Sequence, residues 1–352
     1  MRHLLACAPA LVVAGLLTAC GADEPDEPSR SASSSPTGET SSPSTEEPAP
    51  SADPAILGAG ELPRELSLKA VGARTVRAEP FADFAVAVGE GVWVSGVAPG
   101  AVRYDAAGRI TARARIPGDV VQALDATTDA VLVPSLNPSL LIRLDADTGE
   151  ELGRLRLPAS PLGEATVGAA GNRAYVLVEP SEPRILVVED DRVVEEIPAP
   201  DGAVAVRAGL GSLWVPTDRD TLEQYDLRAA TWRTIEAVGP DPRFLDVGFG
   251  AVWVMNQGDG SVSRVDARTA EVEQVPFIGQ PIGGGDLTVG GGAVWLRTDS
   301  LVIRIDPRTR RATHVIAPPP GSASAAATDE FLLVTNHDHD VVHVVPLPLP
   351  ER

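Results

Sequence analysis

Two cysteines, two methionines and a single lysine in 352 residues remove several chemistries at once. Cys7 lies in an apolar N-terminal stretch and Cys20 at its end, so the rest of the chain has neither a disulfide framework nor a thiol nucleophile. A domain of this size buries enough apolar surface to manage without cross-links. Aromatics make up only 4% of residues, and Gly-x-Ser-x-Gly, His-Glu-x-x-His and a complete Walker loop are absent. Positive charge is short as well. The 49 Asp+Glu outnumber the 29 Lys+Arg, for a formal net charge of -20, which argues against nucleic acid or an anionic lipid surface as a partner. The lone Lys69 among abundant Arg, Ala, Gly, Val and Pro is the bias expected of GC-rich codons, and so of a high-GC bacterium such as an actinomycete.

What the chain does contain is a repeat. GEGVWVSG (89–96), GLGSLWVPT (209–217), FGAVWVMN (249–256) and GGAVWLRT (291–298) each place a small-residue turn before an apolar strand. About a dozen residues on, an aspartate opens a second turn: YDAAG (104–108), YDLRAA (225–230), VDARTA (265–270), IDPRTR (305–310). Setting Leu132, Tyr175 and Leu333 at the position of Trp93, Trp214, Trp253 and Trp295 gives seven copies, spaced by 39, 43, 39, 39, 42 and 38 residues. A period near 40 with alternating apolar residues and several turns per unit predicts four-stranded propeller blades. The expected fold is all-β, a seven-bladed propeller over residues 64–348, standing as a monomeric ring.

In the unit from Phe244 to Gly279 the turns predict strands at Phe244–Val247, Ala251–Met255, Ser261–Asp266 and Glu271–Phe277, with the tryptophan wedged between blades. The seventh unit has only three strands, whereas Glu65–Glu79 is strand-like and precedes the first inner strand. An open last blade would leave an unpaired edge, so part of Arg74–Glu79 is expected to close the ring. Asp145 to Gly149 and the glycine triplets at 283–285 and 290–292 read as turns and connectors, not as calcium or phosphate loops.

Residues 1–19 join a charged start at Arg2 to an apolar stretch, the pattern of an export signal. Residues 20–55 follow as a tether of Ser, Thr, Pro and acidic side chains; residues 21–55 carry -7 of the formal charge and too little apolar surface to order. Leu17-Thr18-Ala19-Cys20 resembles the lipobox of bacterial lipoproteins. That resemblance implies a lipid on Cys20 and a domain held at the extracytoplasmic face of the cell membrane.

The chain's one concentration of ligand-type side chains is Asn336 to Asp340, with His343 nearby. His337 and His339, two apart, would point the same way in extended backbone and, with Asp338 or Asp340, offer a divalent metal site. Equivalent turns and connectors supply Asn256, Asp259 and Asp286 as further candidate rim ligands, with Asp119, Asn137, Glu164 and Asp241 beside them.

Residues 238–272 resemble the repeat of YVTN-type and streptogramin-lyase-type (virginiamycin B lyase-like) propellers, in which a V-G-x-x-P connector leads to G-x-V-W-V and V-x-x-I-D-x-x-T-G. The resemblance implies the fold and, for lyases, a metal with rim histidine and glutamate. Those lyases read W-F-T-E; here the stretches are Trp93 to Gly96, Trp214 to Thr217, Trp253 to Asn256 and Trp295 to Thr298, each without the acidic residue. Two readings follow. In the first, a non-catalytic module needing no cofactor binds an envelope protein, peptide or glycan; in the second, a metal-dependent lyase or hydrolase acts on a small cyclic or ester substrate.

Overall fold

A computed structural model of the chain describes residues 62–351, apart from 80, 97–99, 121–122, 179–180 and 322–323. The export signal, Cys20 and the tether lie outside these residues. The described chain is a seven-bladed β-propeller of antiparallel blades. Blade 5 shows the unit: Pro242–Gly248 lines the axis, and Ala251–Asn256, Ser261–Asp266 and Val272–Pro276 follow outward. The other inner strands are Ala85–Val88, Asp125–Ala126, Val167–Ala170, Arg207–Gly209, Gly285–Gly290 and Ala325–Ala327 for blades 1, 2, 3, 4, 6 and 7. Among the described residues, no helix is long and apolar enough to cross a membrane.

Both repeated motifs have physical causes. Trp93, Trp214, Trp253 and Trp295 are fully buried between blades. Each indole N–H is satisfied by a backbone carbonyl: Ala146 of the next blade for Trp93, and Gly209, Gly248 and Gly290 of their own inner hairpins for the others. Close blade approach forces glycine at two of these sites. A Cβ on Gly248 would lie 2.4 Å from Val289 Cγ1, and one on Gly290 2.3 Å from the Ala327 carbonyl oxygen. The aspartate opening the outer hairpin accepts N–H bonds from residues two and three further on, as Asp226, Asp266 and Asp306 do. These donors hold the three carboxyls below their usual range.

In five of the seven blades the inner hairpin reverses through a left-handed residue four before the tryptophan position. Blades 1, 3 and 6 place glycine there (Gly89, Gly171, Gly291), while blades 4 and 5 place Leu210 and Phe249, both at φ 54°. A side chain in that region costs roughly 1–2 kcal/mol.

Ring closure follows the sequence expectation and adds to it. Arg74–Arg77 pairs antiparallel with Val341–Pro346 as the outer strand of blade 7. Just before it, Glu65–Ser67 pairs parallel with Arg311–Ala317, giving blade 6 a fifth strand. The N-terminal segment thus fastens two blades, with Val71 and Leu66 packed beside Leu349 from the far end of the chain.

Deleting residues 62–79 is expected to abolish cooperative unfolding in a thermal melt followed by circular dichroism. Deleting only 62–68, which removes the fifth strand and leaves the closing one, is expected to lower the Tm while the transition stays cooperative.

Candidate functional site

Adjacent inner strands form no backbone ladder with one another among the described residues, so the axis must be knitted by side chains. The position seven before each tryptophan equivalent is in register around the ring: Val86, Asp125, Gly168, Arg207, Asp246, Thr288 and Ala326. Asp125 accepts from its neighbour Ala126 and from the Ala169 N–H of blade 3, each at 2.8 Å. Asp246 accepts from Val247 and from the Val289 N–H of blade 6, at 2.8 and 2.7 Å. Arg207 reaches back to the Val167 carbonyl at 2.6 Å.

One layer nearer the blade-to-blade connectors, Asp286 accepts the Leu287 N–H at 2.7 Å and the Ser324 hydroxyl of blade 7 at 2.5 Å. Ser324 in turn accepts the Ala85 N–H of blade 1 at 3.2 Å. In the same layer Phe84 and Phe244 meet with centroids 5.7 Å apart. They belong to blades 1 and 5, which are not neighbours, so their contact spans the axis.

Burial dominates the electrostatics here. It pushes the Asp286 carboxyl up to about 7 and that of Asp246 up to about 6, and it raises Asp125 as well. The Arg207 guanidinium opposes the rise at all three. Asp286 is 5% exposed, whereas Asp246 and Asp125 meet channel solvent over part of their surface, which softens the penalty on their charge.

Nearer the connector face, further side chains gather at the mouth of the ring. Phe81, 48% exposed, stacks on His337 with centroids 5.2 Å apart. His337 places Nδ1 3.4 Å from Asp83 Oδ1 and Nε2 3.1 Å from Asp338 Oδ1. Glu164 and Arg243 complete the mouth. Burial and the Asp83 charge raise the Glu164 carboxyl, against the pull of Arg243, which pairs with Asp241 at 3.0 Å.

Several expected ligands are held differently from their sequence reading. His337–His339 form a 3-10 turn, not an extended segment, so the two-residue spacing does not bring both rings to one side. His339 Nδ1 bonds Asn336 Oδ1 at 3.0 Å, and Asp340 ends the turn in the left-handed region. His343 is buried, its Nδ1 2.9 Å from Thr75 Oγ1; burial, then the Arg297 charge, lowers its pKa to about 4. Asn256 is not at the rim but fully buried, donating to Ser261 and Ser263 at 2.9 Å each. Asp259 accepts the Ser261 N–H within its own hairpin, and Asp286 stands on an inner strand instead of a connector.

Among the described residues no three His, Cys, Asp or Glu side chains gather closely enough to hold a metal ion, so the donor set expected at 337–340 does not fit one. The sequence reading missed Asp125, Asp246 and Arg207. Aligning each unit on its tryptophan and stepping back seven residues exposes them, because that position is apolar or small in four of the seven blades.

No family model matches the sequence, and no curated protein matches it in sequence. Solved structures are similar in fold. BamB from Moraxella catarrhalis aligns at 13% identity over 75% of this chain and 86% of its own, with a TM-score of 0.51. The WD40 propeller domain of Doa1 aligns at 12% identity over 78% and 96%, and the propeller domain of Myceliophteria thermophila Cps50 (Swd1) at 11% over 77% and 97%, both with a TM-score of 0.62. At such identities the likeness establishes a propeller and leaves the activity open.

The shifted carboxyls fix the pH response. Asp286 and Asp246 hold protons in the folded ring that the unfolded chain releases near pH 4. Their contribution is therefore complete below about pH 4 and lost as pH rises through about 6 and 7. The outer-hairpin aspartates, held low, act oppositely and lose their contribution only below about pH 4. Stability in urea is expected to peak near pH 4 and to fall on the order of 2 kcal/mol by about pH 7. Asp286→Asn is expected to remove most of that slope.

Proposed function

We propose that this chain is an extracytoplasmic lipoprotein, anchored through a lipid on Cys20, whose propeller is a non-catalytic scaffold binding a protein of the cell envelope at its connector face. The commitment of the axial side chains to the ring itself carries this reading. The Phe84–Phe244 contact spans the axis, and the axial carboxylates hold backbone N–H groups and a serine of neighbouring blades. The mouth above offers instead an exposed aromatic platform, Phe81 on His337, flanked by the Arg243–Asp241 pair and Glu164. Such a mixture of one aromatic anchor with a polar surround suits a protein surface. The acidic tether of residues 20–55 would let the ring reach partners at a distance from the membrane.

With one lysine in the chain, amine-directed cross-linkers are uninformative. The test places a photo-reactive phenylalanine analogue at position 81 of the full chain in its own envelope. One reproducible protein partner is expected, lost in Cys20→Ala and reduced by Arg243→Glu in the same chain. Cross-links only to lipid, or to many proteins without preference, would overturn the reading.

A further inference from the structure

The opposite face, built from hairpin tips, carries a feature that the repeat does not require. Leu210 and Phe249 occupy equivalent left-handed positions in neighbouring blades 4 and 5, where blades 1, 3 and 6 have glycine. Glycine adopts this backbone without strain, so neither side chain serves its own turn. Neither is buried by the fold either: Leu210 is 51% and Phe249 50% exposed. Isolated exposed apolar residues are ordinary on a protein surface. Two at one repeat position of adjacent blades, on backbone that disfavours any side chain, form a pair of knobs held out to solvent.

Beside them runs a groove of about 740 Å³ between the two blades. Its charged lining is Arg228, Arg233 and Arg268 with Asp226 and Asp266. All three arginines are exposed, and among the described residues none is in an ion pair. Arg233 donates to the Thr269 carbonyl at 2.8 Å. The two aspartates are occupied, since each accepts two N–H bonds from its own turn. In a protein of formal net charge -20, this groove presents cations outward while its carboxylates face their own turns.

We propose that the groove between blades 4 and 5 docks an extended acidic segment of a partner protein, with bulky apolar side chains of that segment packing on Leu210 and Phe249. The arginines meet carboxylates that the rest of this acidic surface repels, which fixes the segment's position. The knobs supply contact area that the charges alone lack.

The test uses the purified full chain and fluorescence anisotropy with three labelled probe peptides: one of Asp, Glu, Leu and Phe, one with Lys in place of the acidic residues, and one with Ser in place of Leu and Phe. Saturable binding is expected for the first only, weakening as salt is raised. Leu210→Gly/Phe249→Gly is expected to weaken it at least tenfold with an equal or higher Tm, since glycine relieves both turns. Arg228→Glu/Arg268→Glu is expected to weaken it at least tenfold with the Tm kept.

Absence of saturable binding, equal binding of the Lys probe, or binding unchanged in the glycine variant would overturn the proposal. So would a fall in Tm in the glycine variant, which would show that the side chains serve the fold. A dimer in sedimentation velocity that the glycine variant dissociates would assign the groove to a second copy. Binding at least tenfold tighter on deleting residues 21–55 would assign it to the chain's own acidic segment.

Discussion

The ring depends on how seven inner strands satisfy their axis-facing backbone when no strand can ladder with its neighbour. A buried N–H without a partner costs about 1–3 kcal/mol, and a propeller brings such groups together where bulk water is scarce. Here side chains bridge blade to blade: Asp125 to Ala169, Arg207 to Val167, Asp246 to Val289, Asp286 to Ser324, and Ser324 to Ala85. A carboxylate suits the task because it can accept from its own strand and the next at once. The same burial disfavours its charge. The compromise is visible in raised carboxyls opposed by one guanidinium, and a protonated Asp286 still offers an oxygen to the Leu287 N–H.

That solution consumes the place where a ring would most simply hold a small ligand. The inter-blade bridges commit polar groups along the axis, and the two phenylalanines meet across it. Recognition therefore moves to the two faces, which differ in construction. The connector face is made of longer segments, such as the turn at His337–His339 and the connectors bearing Phe81 and Glu164, whose side chains the fold leaves free to vary. The hairpin face is made of tight turns whose backbone dictates small residues. Any large side chain there stands out against the geometry of its own unit.

The parts of this structure legible in sequence were those set by periodicity. The forty-residue spacing, the tryptophan wedge and the aspartate turn each recur, so a lone sequence carries several copies of the same signal. The closing strand at Arg74–Arg77 was legible because the seventh unit was visibly one strand short. Glu65–Ser67 had no such deficit to reveal it: a fifth, parallel strand is an addition that no count requires. The histidine segment was misplaced for a local reason. A spacing of two puts side chains on one side only in extended backbone, and a short connection between strands is free to coil into a 3-10 turn. Asn256 misled similarly, since its place at a strand end reads as rim while its amide in fact ties Ser261 to Ser263.

A repeat also turns departures into information. Seven copies of one unit are seven solutions to the same packing problem, so a residue that suits most copies shows what the fold wants at that position. Glycine in three of the five inner hairpins that turn through the left-handed region, those of blades 1, 3 and 6, shows it for that turn. Aspartate at the head of the outer hairpin shows it for the next turn. Where a copy keeps a residue that serves the fold less well, either a local contact compensates or something outside the fold retains it. Phe84 and Phe244 belong to the first kind, because each meets the other across the axis. Leu210 and Phe249 belong to the second, because half of each remains in solvent. Separating these two kinds by burial requires neither a family nor a name, and it locates the surfaces where this ring has to be understood through what it touches.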